Sequence, residues 1–169
     1  MPAGATYEPI ATTTLASLNT TISFTSIPST YTDLKVVFNG SSSSGTIGLW
    51  FRFNNDSATN YSSTWMVGNG TTASSTRTSN YNEIRPAGNI LTTTNNTMVI
   101  LDLFSYAGST NKTCLIQVAG DQNGSGSVVR TVGLYRSTSA INRIDVSGEF
   151  STNLTVGSTA TLYGIKNSA

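Results

Sequence analysis

Apolar residues recur at every second position through much of this 169-residue chain, and this alternation limits the secondary structure that it can adopt. In TIGLWFRF, the side chains of Ile47, Leu49, Phe51 and Phe53 fall on one side of an extended backbone. Because successive side chains of a strand point to opposite faces, a period of two predicts strands with one buried face. No long stretch has the i, i+3, i+4, i+7 spacing of an amphipathic helix. The chain is therefore predicted to be almost entirely strand and loop.

Turn-forming residues separate the alternating segments and predict roughly eight to ten strands. The pair Asn123–Gly124 is the strongest hairpin signal. The nearly continuous apolar run Thr97–Phe104 is typical of a central strand covered on both faces. Residues 54–96 are polar and are predicted to be long loops, with short strands around Trp65–Val67 and Glu83–Arg85. The expected fold is one all-β domain over residues 1–169, a two-sheet antiparallel sandwich that is jelly-roll-like.

The core and the N-terminal segment can be assigned from the same pattern. Residues 1–12 are predicted to form an extended arm, because Pro2, Gly4 and Pro9 interrupt regular structure while Tyr7 supplies one large side chain. The predicted core consists of inward positions from several strands: Phe24, Val36, Phe51, Leu101, Ile116, Val132, Ile144 and Ile165.

Charge and cysteine content exclude several classes of partner. Only 10% of the residues are charged and the net charge is +1, which is too little positive charge to hold nucleic acid. No apolar run approaches the roughly 18 residues that cross a bilayer, so no membrane is expected. A net charge near zero leaves little repulsion between copies and favours self-association. With Cys114 as the single cysteine, the fold needs no disulfide, which fits synthesis in a reducing cytoplasm.

The residues that usually perform catalysis are largely missing. The chain has no histidine, which removes the usual general base near neutral pH. Cys114 alternates with Ile116 and Val118 and is interpreted as a core residue. Asp145 and Glu149 would share a strand face about 13 Å apart, too far for a glycosidase pair. A pair formed by folding, such as Asp56 with Glu83, stays open, but the chain is not expected to be an enzyme.

No cofactor or metal is expected either. The segment DQNGSG offers oxygen atoms at Asp121, Asn123 and Ser125, as a calcium loop does. Position twelve of such a loop would be Val132 instead of a bidentate glutamate, so this segment is interpreted as a polar turn.

Surface recognition is the remaining source of function. Trp50 and Arg52 lie opposite the apolar face of their strand and could either anchor an interface or cover a second face of the sandwich. The other candidates for interface or ligand contact are aromatic: Tyr7 in the predicted arm, and Tyr61, Trp65 and Tyr81 in the loop-rich region, where they could equally cap the ends of the sandwich.

Several segments resemble a known group of proteins. The phrases YEPIATTTL, ISFTSIPSTYTDLKVVFNG, LWFRFNNDSATNYSSTWMVGNG and TLYGIK are similar to uncharacterised short virion structural proteins of tailed bacteriophages, particularly aquatic and cyanophage-like ones. The resemblance covers most of the chain. It implies a jelly-roll-like capsid decoration or cement protein on the outer surface of the virion, made in the host cytoplasm, or a component of a fibre.

Within that group, the sequence favours a free-standing decoration module. An alternating strand begins near residue 20, with no room before it for a docking module and an elongated shaft. The expected partners are therefore the major capsid protein and copies of the chain itself, as a homotrimer at local three-fold positions. The alternatives are a receptor-binding or fibre-tip protein of a tail or head fibre that binds host-surface carbohydrate, and a lectin-like module outside a virion, carried by Trp50, Trp65 and Tyr81.

Overall fold

The computed structural model of the protein describes residues 6–120 and 124–166, and it is built almost wholly from strands. In addition to the strands, the described residues contain a three-residue 3₁₀ turn, Glu149–Ser151. No helix among these residues has the length and apolar character needed to cross a membrane. The strands are β1 Tyr7–Thr14, β2 Thr21–Phe24, β3 Asp33–Gly40, β4 Leu49–Phe53, β5 Tyr61–Gly68, β6 Ala73–Tyr81, β7 Thr97–Phe104, β8 Lys112–Gly120, β9 Ser127–Tyr135, β10 Ile144–Gly148 and β11 Thr159–Ile165.

The strands form two antiparallel sheets of unequal size. The larger sheet has eight strands in the order β1-β11-β3-β7-β8-β9-β5-β6, and the smaller has three in the order β2-β10-β4. The buried faces of the two sheets enclose one continuous apolar core. The prediction of an all-β, two-sheet sandwich is therefore confirmed, with eleven strands in the described residues instead of eight to ten.

Alternation of side chains places the core where the sequence predicted it, with two exceptions. In β3 the residues Leu34, Val36 and Phe38 are all fully buried. Val132 was predicted to be buried but is 56% exposed, because the inward positions of β9 are the odd-numbered ones from Val129 to Tyr135. Ile165 is only half-buried, at the end of β11. The other six predicted core residues are buried: Phe24, Val36, Phe51, Leu101, Ile116 and Ile144.

The prediction that residues 54–96 are mostly loop is wrong for the 8 residues of β5 and the 9 residues of β6, which are long strands. β5 and β6 form a long hairpin there, and all nine residues of β6 are exposed or only half-buried. The prediction failed because β6 is made of Ala, Ser, Thr, Arg, Asn and Tyr, so no apolar residues mark its alternation.

The strand β7 is central but covered on one face only, contrary to prediction. Val99, Leu101 and Leu103 point into the core, whereas Met98 on the outer face is 45% exposed. A second sheet packs against only one side of the large sheet, so apolar residues on the other side stay in contact with solvent.

Two further predictions concern the N-terminal segment and the turn between β8 and β9. From Tyr7 onward the predicted N-terminal arm is instead the edge strand β1, which pairs with β11 and opposes Tyr7 to Ile165. Residues 1–5 lie outside the described residues. β8 and β9 pair as the predicted hairpin requires. Residues 121–123 of its turn, which include Asp121 and Asn123 of the segment compared with a calcium loop, also lie outside the described residues.

A candidate recognition surface on the three-stranded sheet

The outer face of the smaller sheet carries polar and aromatic side chains. In β4 the residues Leu49, Phe51 and Phe53 are buried, so Trp50 and Arg52 point away from the core. The ladder with β10 sets Trp50 opposite Ser147 and Arg52 opposite Asp145. Trp50 and Arg52 lie on the outer face because successive side chains of a strand point to opposite faces, and the alternate residues of β4 fill the core.

A short segment after β6 extends this face beyond β4. Ile84 forms an isolated antiparallel bridge with Phe51, and each donates its backbone N–H to the carbonyl of the other, at 2.8 and 3.0 Å. In an antiparallel pair this register sets Glu83 opposite Arg52 and Arg85 opposite Trp50. The bridge therefore brings Trp50 and Arg52 next to Glu83 and Arg85, which follow them by more than 30 residues in sequence.

Glu83 is a buried carboxylate held between two arginines. Its side chain is 1% exposed, and one carboxylate oxygen accepts hydrogen bonds from Nε and Nη2 of Arg85 at 2.9 and 2.5 Å. The other oxygen accepts one from Nη2 of Arg52 at 3.2 Å. Arg52 also donates through Nε to the Asn82 carbonyl at 3.2 Å. A buried carboxylate with two charged donors is compensated, and it fixes the position of both guanidinium groups.

The Arg85 guanidinium lies against two aromatic rings. Its central carbon is 4.2 Å from the centroid of the Trp50 ring and 4.0 Å from that of the Tyr81 ring. Both distances are within the range of cation–π attraction. Arg85 therefore orients the two rings, and it covers one face of each.

Phe150 stands beside this stack and is the most exposed large apolar residue of the described chain, at 78%. Its ring meets the Trp50 ring edge-on, with centroids 5.4 Å apart and planes at 76°. The backbone of Phe150 and of Ser151 is left-handed, with φ of 52° and 60°, which costs about 1–2 kcal/mol per residue outside glycine. An exposed aromatic residue held in a strained conformation is a common feature of binding sites.

The strained turn is anchored to the chain segment just before β4. The Gly48 N–H donates to Oε2 of Glu149 at 2.8 Å, and the Glu149 N–H donates to the Gly48 carbonyl at 3.0 Å. These two hydrogen bonds hold the turn next to Trp50. We call the six residues Trp50, Arg52, Tyr81, Glu83, Arg85 and Phe150 the Trp50 surface.

An ion pair at the start of β10 lies on the side of Arg52 away from Glu83. Arg143 donates through Nε to both carboxylate oxygens of Asp145, at 3.0 and 2.9 Å, and the Ser23 hydroxyl donates to Oδ1 at 2.6 Å. The hydrogen bond to Asp145, with the charge of that carboxylate, raises the pKa of the Arg143 guanidinium. The outer face of the sheet thus carries paired charges beside the aromatic side chains of the Trp50 surface.

The structure brings together three of the six residues predicted from sequence to make contacts. Trp50, Arg52 and Tyr81 lie in the Trp50 surface. The others are elsewhere: Tyr7 is 54% exposed at the sheet edge, and Trp65 is half-buried against the core. Tyr61 is fully buried and stacks on Tyr135 with centroids 4.7 Å apart, so its ring is a core element.

Sequence reasoning did not assign Glu83, Arg85 or Phe150 to this site. An Arg two residues after a Glu in a predicted short strand was a detectable signal, since both side chains then fall on one face. Their position beside Trp50 depends on the bridge between Phe51 and Ile84, for which the sequence has no local sign. The exposure of Phe150 depends on the turn after β10, where a strand had been expected to continue.

The other side chains that were considered for catalysis or metal binding are buried or hydrogen-bonded within the fold. Cys114 is buried, and burial raises the pKa of its thiol to about 12. The prediction that Glu149 shares a strand face with Asp145 is wrong, because Glu149 lies in the 3₁₀ turn after β10. Asp56 accepts hydrogen bonds from Asn60 and Tyr135, which are separate from the partners of Glu83. Within residues 6–120 and 124–166, no group of three or more acidic or cysteine side chains could hold a metal ion.

The chain matches no protein-family model and no curated protein sequence.

Proposed function

We propose that the protein is a non-enzymatic virion structural protein that decorates the outer surface of a tailed-phage capsid and attaches to the major capsid protein through the Trp50 surface. The observation that carries the attachment site is Phe150, which is 78% exposed against an ordered ring system. The virion assignment is supported by the resemblance of the strand and turn phrases to short phage structural proteins.

The composition of the Trp50 surface supports a protein partner. Trp, Tyr and Arg are the residue types that contribute most binding energy at protein interfaces, and such residues are usually surrounded by contacts that exclude water. Here Arg85 and Glu83 hold the rings in place before any partner arrives. Side chains that are already ordered lose less conformational entropy on binding, which strengthens an interface.

The same geometry leaves less aromatic surface for stacking a carbohydrate. A sugar ring stacks on an open aromatic face, but Arg85 occupies one face of Trp50 and one face of Tyr81, while Phe150 lies edge-on to Trp50. The fibre-tip and lectin-like alternatives depend on these same rings. We therefore place capsid attachment ahead of glycan recognition.

Attachment can be tested by sedimenting purified protein with capsids of the phage that carries the gene, prepared without this protein. The native chain should bind, and Phe150→Ala should weaken binding roughly tenfold or more, as expected for an exposed interface anchor. Phe104→Ala is the matched control, because Phe104 is 43% exposed on the outer face of the opposite sheet. It should leave binding unchanged.

Two results would contradict the proposal. The first is native protein that does not sediment with capsids but binds a glycan array in a manner lost in Trp50→Ala, which would identify a receptor-binding protein. The second is capsid binding that Phe104→Ala abolishes and Phe150→Ala leaves intact, which would move the attachment site to the large sheet.

A further inference from the structure

The large sheet ends in two edge strands that differ in their suitability for pairing. Among the described residues β1 pairs only with β11, and β6 pairs only with β5. An open strand edge presents backbone N–H and C=O groups that a further strand can use. We propose that a second copy of this chain pairs along β6, so that two large sheets join about a two-fold axis.

The β1 edge is protected against such pairing. Pro9 lacks an N–H, and the register of β1 shifts between Pro9 and Ala11, so the strand is irregular in its middle. An ion pair between Glu8 and Lys166, at 2.6 Å, adds charge at the same end. Proline, a bulge and charges are the usual means by which proteins prevent edge association.

The β6 edge carries much less protection. Its register is regular from Ala73 to Ser79, and the shift that skips Asn80 lies near the end of the strand. Arg77 is the one charged residue of the strand, and the other side chains from Ala73 to Ser79 are Ala, Ser or Thr. Ser and Thr side chains can form hydrogen bonds across a strand pair. A small, neutral, exposed strand of this length is suited to pairing with another strand.

The difference between the two edges favours β6 of a second copy as the strand that pairs with β6. Pairing β6 of one copy with β1 of the next would use the irregular strand at every contact, and its repetition would build a ring or an open polymer. Pairing β6 with β6 uses the regular edge of both copies and closes after two subunits. The chain's net charge of +1 offers little repulsion to such a contact. The inference goes beyond the proposed attachment to capsids and does not depend on it.

The sequence of β6 also selects the register. A two-fold axis sets one residue opposite its own copy. Placing the axis at Thr76 uses the whole regular run, with Ala73 opposite Ser79 and Arg77 opposite Ser75. Placing it at Arg77 would set two guanidinium groups directly opposite each other, which is unfavourable. We therefore expect Thr76 to face Thr76 of the second copy.

Sedimentation of the full chain over a wide range of concentrations should show a dimer that dissociates on dilution. Thr76→Lys should raise the dissociation constant roughly fivefold or more, because it sets two like charges opposite each other. Thr12→Lys is the matched control, since Thr12 is an exposed threonine on the β1 edge. It should leave the dissociation constant unchanged.

Oxidative crosslinking tests the register separately. Thr76→Cys should form a covalent dimer, because opposed residues of an antiparallel pair have Cα atoms close enough for a disulfide. Thr12→Cys should not, and the native Cys114 is buried. A monomer at every concentration, a trimer, or a dimer insensitive to Thr76→Lys that crosslinks through Thr12→Cys would each overturn the proposal.

Discussion

At the scale of single residues, Glu83 has the largest influence on the candidate surface. It contacts both arginines but is itself 1% exposed, so it positions the surface without being available to a partner. Replacing it would leave Arg85 free to move away from Trp50 and Tyr81.

We expect Glu83→Gln to lower the free energy of unfolding by about 1–3 kcal/mol, since a buried charged hydrogen-bonding group is lost. Asp102→Asn removes a carboxylate from a more exposed ion pair with Lys35, at 2.5 Å, and should cost less than about 1 kcal/mol. Denaturant titration measures both. Equal losses in the two variants would show that Glu83 has no special position.

Cys114 predicts a dependence of stability on alkaline pH. Burial raises the pKa of its thiol from 9.0 to about 12. Between these values the unfolded chain releases a proton that the folded chain keeps, so the free energy of unfolding falls as the pH rises. The native protein should lose stability over this window faster than Cys114→Ala does, as measured by denaturant midpoints at each pH. Parallel curves would refute the assignment.

At the scale of the elements, β9 depends on a glycine for close packing against its neighbours. A Cβ atom added at Gly133 would lie 2.5 Å from the Cys114 sulfur and 2.9 Å from Cδ1 of Ile84. Ile84 belongs to the segment that carries Glu83 and Arg85, so packing beneath β9 and the Trp50 surface are connected through one side chain.

Gly133→Ala should therefore destabilise the fold by about 1–3 kcal/mol through overpacking. Gly68→Ala in β5 is the control, because no atom lies within 4 Å of the Cβ it would add. That substitution should be neutral or slightly stabilising, as fewer conformations are then open to the unfolded chain. Thermal unfolding of both variants tests the contrast, which fails if Gly133→Ala melts with the native protein.

At the scale of the whole molecule, stability comes from one core between two sheets. Leu101 lies in β7, is fully buried and faces the smaller sheet. Leu101→Ala should cost about 2–5 kcal/mol as a large-to-small change in a packed core. Val132→Ala, at a position 56% exposed on the outer face, should cost less than about 1 kcal/mol. If Leu101→Ala lowered the free energy of unfolding by less than about 1 kcal/mol, the core would be less tightly packed than described.

The sandwich could be predicted from sequence because its core strands alternate apolar and polar residues. The β5–β6 hairpin could not be recognised in full, since Ser and Thr on both faces of β6 leave no alternation to detect. The site was half predicted for a related reason. The period of β4 exposes Trp50 and Arg52, but Glu83 and Arg85 reach them through a non-local bridge that only the assembled fold defines.

The pairing of β1 with β11 has a mechanical consequence. Tyr7 lies opposite Ile165, so both ends of the described chain leave from the same end of one antiparallel ladder. A force that pulls these ends apart loads that first pair alone and then each following pair in turn, and the ladder opens like a zipper. β11 stays held by β3 on its other side. Stretched from its ends, the protein should release β1 at low force while the remaining sandwich stays folded.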